Sequence, residues 1–175
     1  MASKVDGSQF TKGVKAIFKL PGGQLYYDSA LELDSDGSRF AAQDRTGQSD
    51  TSLHQPDGSP VDADTVPFFV LPLGGFRRQF GIELGDIAAV LHRDQVEFAV
   101  FADMGPPQGL GEGSIALHRS LGHETIRGGR FHDEGIDRDV ITIVFPGSGD
   151  GTPQTPERVR EVGRKLFQEL GGNVE

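Results

Sequence analysis

The apolar residues of this chain occur in short runs, and glycine, proline or aspartate interrupts each run within seven residues. Runs of this length that are rich in valine, isoleucine and phenylalanine predict β-strands, because a helix needs a longer periodic segment. Most of the runs end at turn-forming residues such as Pro-Gly or Asp-Gly. The sequence therefore predicts a mainly β fold, with strands at residues 16–20, 25–27, 30–33, 66–72, 87–91, 96–101 and 140–145.

Two segments predict helices at the periphery of this sheet. A short helix is expected over residues 112–121. A longer one begins at Thr155 and Pro156, which supply a capping hydroxyl and a proline at the first helical position. Apolar residues then recur at helical spacing until Gly171.

The length of 175 residues fits one domain. We expect a single domain over residues 12–175, which carries the candidate site below, and a loose polar tail over residues 1–11. Residues 38–65 predict a long polar loop, and such loops are often functional. The first eleven residues lack the apolar core of a signal peptide, so the protein is expected to be secreted if a signal was removed and cytoplasmic otherwise.

The composition excludes several classes of protein. A net charge of −9 and a pI of about 5.0 argue against nucleic-acid binding and favour a cationic partner, although acidic charge also serves solubility alone. The absence of cysteine excludes disulfides and thiol chemistry. No apolar run is long enough to span a membrane.

The segment from residue 101 to residue 114 is the most informative for chemistry. Asp103 follows an apolar strand, and Glu112 stands nine residues later, after a stretch rich in glycine and proline. A loop of that length can bring both carboxyl groups to one cleft, and glycosidases need two carboxyl groups on either side of the bond that they cut. The same pattern also fits a structural role, in which Asp103 caps a turn and Glu112 caps a helix.

No metal site and no cofactor are predicted. Glu32, Asp34, Asp36 and the following glycine resemble the start of a calcium loop, but the position that needs a bidentate glutamate is Gln43. The five histidines show no spacing typical of a zinc site.

Several stretches together carry a family resemblance. They are the Asp-x-Asp-Gly segment at 31–37, the Val-Pro-aromatic strand at 66–72, the segments 101–106 and 111–114, and Phe-Pro-Gly-Ser at 145–148. In this order they resemble the glycoside hydrolase family 75 chitosanases over most of residues 15–149. Fungal members carry cysteines, which this chain lacks.

The resemblance implies an endo-acting, inverting hydrolase of β-1,4-linked glucosamine polymers, a polycationic polysaccharide substrate. Glu112 would be the general acid and Asp103 the general base that activates water. The implied fold is a six-stranded double-psi β-barrel with one or two helices packed outside.

Four further residues are candidates for substrate binding. Asp34, Asp36 and Asp44 would pair with the amines of glucosamine, because amine–carboxylate hydrogen bonds are charge-assisted. Tyr27 would offer a face for sugar stacking, although aromatic residues in strands more often lie in the core. We expect a monomer.

Two alternative functions stay open at this stage. One is a barrel lytic enzyme that acts on peptidoglycan with a single catalytic acid, and the other is a carbohydrate-binding domain without activity. The ends of the products would separate the first from a hydrolase, and an absence of turnover would support the second.

Overall fold

A closed β-barrel forms the centre of the computed structural model, which describes residues 1–10 and 13–174. The described residues form ten strands and two α-helices, which in chain order are β1 (Ser3–Lys4), β2 (Val14–Lys19), β3 (Leu25–Asp34), β4 (Phe68–Pro72), β5 (Ile87–His92), β6 (Gln95–Gly105), β7 (Glu112–Ser114), α1 (Ile115–Ser120), β8 (Ile126–Arg127), β9 (Arg130–Phe131), β10 (Ile136–Phe145) and α2 (Pro156–Glu169). Six strands close the barrel in the order β3, β10, β5, β6, β4 and β7, since β7 pairs back onto β3. The mainly β fold with a six-stranded barrel and outer helices is thus confirmed.

Two clusters of buried residues hold the barrel together. The first, the interior cluster, takes side chains from β3, β4, β5, β6 and β10, with Phe69 and Phe101 stacked at 5.6 Å between ring centroids. The second, the outer cluster, lies between the barrel and α2, where Phe98 meets Phe167. Helix α2 begins as predicted, with Thr155 Oγ1 accepting from the N–H of Arg158. Neither helix of the described chain is long and apolar enough to cross a membrane.

Two predicted elements differ from the observed ones. Residues 25–34 form one strand rather than two, because Asp28 and Ser29 keep their pairing with β10. The helix expected from residue 112 begins only at Ile115, because Glu112–Ser114 pair as β7 between β3 and β4. Ser114 Oγ then caps α1 by accepting from the N–H of Leu117 at 3.1 Å. Non-local pairing, which local sequence patterns do not reveal, decides both cases.

The N-terminal residues are attached to the sheet. Ser3 and Lys4 pair with β2, and the ring of Phe10 packs edge-on against Phe76 at 5.0 Å. This part of the predicted loose tail therefore contacts the rest of the protein. The predicted boundary between tail and domain, at residues 11 and 12, lies outside the described residues and stays a prediction.

Candidate active site

Asp103 and Glu112 lie on opposite sides of the same residue of β4. Val70 pairs with Glu112 of β7 on one side and with Asp103 of β6 on the other. Glu32 of β3 pairs with Glu112 in turn, so that all four residues form one row across the sheet. Directly paired residues point to the same face of a sheet. Two strand spacings place the Cα atoms of Asp103 and Glu112 about 9–10 Å apart.

A β-bulge at Ala102 brings Asp103 to this face. Phe69 pairs with Phe101, but the next residue of β4, Val70, pairs with Asp103, so Ala102 is the extra residue. Phe101 and Met104 both pack with the interior cluster, whereas Ala102 belongs to the outer cluster. Regular alternation would point residue 103 into the interior beside Phe101. The bulge turns it outward, and bulges commonly re-aim side chains in this way.

Two further aspartates lie next to Asp103. Asp34 ends β3, Asp36 follows in the next turn, and carboxyl oxygens of Asp34, Asp36 and Asp103 all lie within 4.8 Å of one another. The N–H of Asp36 donates to Asp34 Oδ1 at 2.7 Å, and the N–H of Gln48 donates to Asp36 Oδ1 at 2.6 Å. Oxygen atoms at this spacing can surround a divalent cation. Here one oxygen of each carboxyl group already accepts from a backbone N–H.

Asp103 is held by three hydrogen-bond donors on one oxygen. Asp103 is buried, with only 7% of its surface exposed. Oδ1 accepts from the N–H of Ser52 at 3.0 Å, from Ser52 Oγ at 2.7 Å and from the N–H of Met104 at 2.9 Å. Donors of this kind stabilise the ionised carboxylate over the protonated form. The arrangement therefore suits a group that accepts a proton.

Glu112 has the opposite environment. Burial is the main cause that raises the pKa of its carboxyl to about 9, and the negative charges of Asp34 and Glu32 contribute to this value. Within the described part of the chain, no side chain or backbone N–H donates a hydrogen bond to it. A carboxyl group in such a site stays protonated near neutral pH and can donate that proton. The two candidates thus differ in their surroundings although they share one cleft.

The neighbouring aspartates also have raised pKa values. Burial, together with the charge of Asp36, raises the pKa of Asp34 to about 8. Burial likewise raises the pKa of Asp36 to about 7, against the hydrogen bond from Gln48, which lowers it. These acids titrate as a coupled group, because each charge disfavours the next. An incoming cation would replace their protons and relieve that repulsion.

The row opens into an acidic cleft of about 650 Å³. Eight carboxyl groups line this cleft, from Glu32, Asp34, Asp36, Asp44, Asp103, Glu112, Asp133 and Asp137. Of the lining residues that the structure describes, none carries a positive charge. The summed field of such walls attracts cationic ligands.

The cleft brings together five of the six residues singled out from the sequence. Asp103, Glu112, Asp34, Asp36 and Asp44 all line it, and Ser35 Oγ donates to Asp44 Oδ2 at 2.7 Å.

The prediction that Tyr27 binds substrate is wrong. Tyr27 is 1% exposed and packs in the barrel interior, so its ring cannot reach a ligand in the cleft. The reason is the alternation of β3, which turns Tyr27 inward and the half-buried Tyr26 outward.

Sequence reasoning missed three residues of this region. Ser52 lies in the polar loop predicted over residues 38–65 and had no local signal of its own. Glu32 precedes Asp34 by two residues on one strand, and this spacing alone would have placed both on one face. Asp133 comes from the segment between β9 and β10. It had no local signal.

Comparison with known proteins identifies the family of the chain. No curated protein sequence matches the chain. The family described as fungal chitosanase of glycosyl hydrolase group 75 matches residues 31–170, which include every candidate carboxyl group of the cleft. The chain therefore belongs to glycoside hydrolase family 75, the chitosan-hydrolysing glycoside hydrolases.

Proposed function

We propose that this protein is an endo-acting, inverting chitosanase in which Glu112 is the general acid and Asp103 the general base. One observation carries the proposal: both residues pair with Val70 from opposite sides and point into the same cleft. Inverting glycosidases separate their carboxyl groups by about 6.5–9.5 Å to leave room for a water, whereas retaining enzymes need about 5–5.5 Å. Cα atoms about 9–10 Å apart are compatible with the wider spacing.

The raised pKa of Glu112 and the hydrogen-bond donors around Asp103 fit these roles. Glu112 gives its proton to the glycosidic oxygen as the bond from C1 to that oxygen breaks. Asp103 takes a proton from a water, whose oxygen attacks C1 from the opposite face of the sugar ring. The new C1–OH bond therefore has the inverted configuration. After product release, Asp103 returns its proton to solvent and Glu112 regains one.

The charge of the cleft supports glucosamine over a neutral sugar. Asp34, Asp36 and Asp44 line the wall next to the proposed pair. A protonated amine between such carboxylates would make charge-assisted hydrogen bonds, which are about twice as strong as neutral ones. We propose that these three aspartates bind the amines of the substrate.

The test combines kinetics with product analysis on soluble glucosamine oligomers. Glu112→Gln and Asp103→Asn should each lower kcat by at least about 100-fold, because general acid–base groups contribute roughly 10²- to 10⁴-fold. Proton NMR of the first products should show the α-anomer from the β-linked substrate. Glu97→Gln is the matched control, since Glu97 also lies on β6 but outside the cleft.

Three outcomes would overturn the proposal. Wild-type rates in both variants would show that Glu112 and Asp103 are not the catalytic pair. A β-anomeric first product would make the enzyme retaining. An anhydro sugar at the product end would indicate a lytic transglycosylase instead of a hydrolase.

A further inference from the structure

We propose that Ser52 is a positioning residue that holds Asp103 in its proton-accepting form. This inference rests on the proposed function, in which Asp103 is the general base. Ser52 does not line the cleft, so it has no contact with a substrate there. It acts on the reaction only through Asp103, from which it is separated by 51 residues of chain.

The direction of the Ser52 hydroxyl is determined by its neighbours. The N–H of Met104 points at Ser52 Oγ, at 3.2 Å, as well as at Asp103 Oδ1, at 2.9 Å. Ser52 Oγ thus accepts from Met104, and its own hydrogen is free to donate to Asp103 Oδ1 at 2.7 Å. The backbone N–H of Ser52 adds a second donor to the same oxygen. Three donors therefore converge on Asp103 Oδ1, and none of them donates to Oδ2.

The loop around Ser52 is anchored on the bulge itself. The N–H of Leu53 donates to the carbonyl of Ala102 at 2.9 Å, so the loop extends the sheet at the residue that re-aims Asp103. Thr51 Oγ1 donates to the carbonyl of Leu53 at 2.8 Å and accepts from the N–H of Val61 at 2.9 Å. These bonds fix the position of Ser52 relative to Asp103. The serine is therefore preorganised before any substrate binds.

The test compares Ser52→Ala, which removes the hydroxyl and keeps the N–H, with Ser52→Thr, which keeps both. Ser52→Ala should lower kcat by up to about 100-fold, because a misplacement of about 1 Å can cost roughly that factor in rate. KM should change little. The acidic limb of the pH–rate profile should move to higher pH by about one pH unit, since the carboxylate loses a donor. The alkaline limb should not move.

Ser52→Thr should restore most of kcat and the wild-type acidic limb. Ser59→Ala is the matched control, because Ser59 donates from its N–H and Oγ to Asp57 Oδ1, at 2.9 and 2.6 Å, on the same loop but away from the cleft. It should leave both limbs and kcat unchanged. Thermal unfolding of all variants at pH 6 checks that the fold is kept.

Asp103→Asn separates a failure of this inference from a failure of the proposed function. If Asp103→Asn abolishes turnover while Ser52→Ala keeps the wild-type kcat and pH profile, Ser52 has no positioning role. If Asp103→Asn itself keeps wild-type activity, the proposed function is wrong. A fall in kcat for Ser52→Ala without movement of the acidic limb, or with equal movement of both limbs, would indicate a general structural effect and overturn the inference.

Discussion

The carboxyl group of Glu112 lies directly over the Cα atom of Gly105. A Cβ atom at residue 105 would stand 2.8 Å from Glu112 Oε2 and 3.2 Å from Val70 Cγ1. Real Cβ atoms essentially never approach other atoms as closely as the first of these distances. The backbone of residue 105 does not lie in the left-handed region, so a side chain here would conflict only with the position of the Glu112 carboxyl and the neighbouring Val70.

We therefore expect Gly105→Ala to fold and to lose activity. The added methyl group displaces the Glu112 carboxyl, and a displacement of about 1 Å can cost roughly 100-fold in rate. The expected loss is in kcat on a glucosamine hexamer, with KM changed less. Gly109→Ala in the same loop is the control, because its Cβ would meet only the carbonyl of Pro106, at an ordinary 3.5 Å. Equal activity of the two variants would contradict the prediction.

The alkaline limb of the pH–rate profile should follow Glu112. The general acid works only when protonated, so kcat/KM should fall as the pH rises toward about 9, the pKa of Glu112. Glu32 contributes to that pKa by its negative charge. Glu32→Gln should therefore move the alkaline limb to lower pH by up to about one pH unit, while Glu32→Asp should leave it nearly in place. If Glu32→Gln leaves the alkaline limb in place, the charge of Glu32 does not influence the pKa of Glu112.

The stability of the protein should decrease with increasing pH because of the same buried acids. Asp36, Asp34 and Glu112 have pKa values of about 7, 8 and 9 in the folded chain. In the unfolded chain these values are about 4, so between pH 4 and pH 9 the folded state binds more protons. The contribution of these groups to the free energy of unfolding is therefore fully present below about pH 4. It is lost as the pH rises through 7 to 9.

Glu112→Gln should accordingly be more stable than the wild type at pH 8. The gain should be roughly 2–5 kcal/mol, because one unit of difference in pKa between the folded and unfolded chain is equivalent to about 1.4 kcal/mol. At pH 4 the two proteins should unfold at the same urea concentration. Asp57→Asn, on the surface, should show no such gain. Equal unfolding midpoints of wild type and Glu112→Gln at pH 8 would argue against a protonated Glu112.

Binding of cationic oligomers should weaken steeply with salt. The ionised carboxyl groups of the cleft attract the amines across an open space, and dissolved ions screen such attraction. KM for a glucosamine hexamer should rise by roughly 3- to 10-fold between about 0.05 and 0.5 M NaCl, with kcat little changed. Asp44→Asn should lower this dependence on salt. A salt-independent KM would contradict electrostatic recognition by the cleft.

Local patterns predicted the strands and the two candidate acids because these depend on residues close in sequence. The end of the apolar run before Asp103 and the turn residues around Asp34 and Asp36 were visible in this way. The bounds of β3 and the start of α1 were not, because their pairing partners come from distant segments. Local patterns therefore predicted what each segment forms, but not which segments meet.

The side to which a residue points was the harder question. Tyr26 and Tyr27 are adjacent, and a strand must send one of them inward. The alternation that pairs Tyr27 with Leu31 on the inner face becomes readable only if residues 25–34 form one strand, which the pairing with β10 decides. The bulge at Ala102 poses the same problem for Asp103, since only the register with β4 reveals the extra residue. No local pattern indicated a role for Ser52, because it lies 51 positions before its partner Asp103 in the sequence. Each of these depends on tertiary pairing.

The bulge at Ala102 also lets one strand pack the barrel interior and, at the next position, carry an ionisable group. Residues up to Phe101 fill the centre of the molecule and tolerate little change in volume. One inserted position later, the same strand places an ionisable group in the wall of the cleft. A change of chemistry at residue 103 is therefore expected to disturb the hydrophobic centre little.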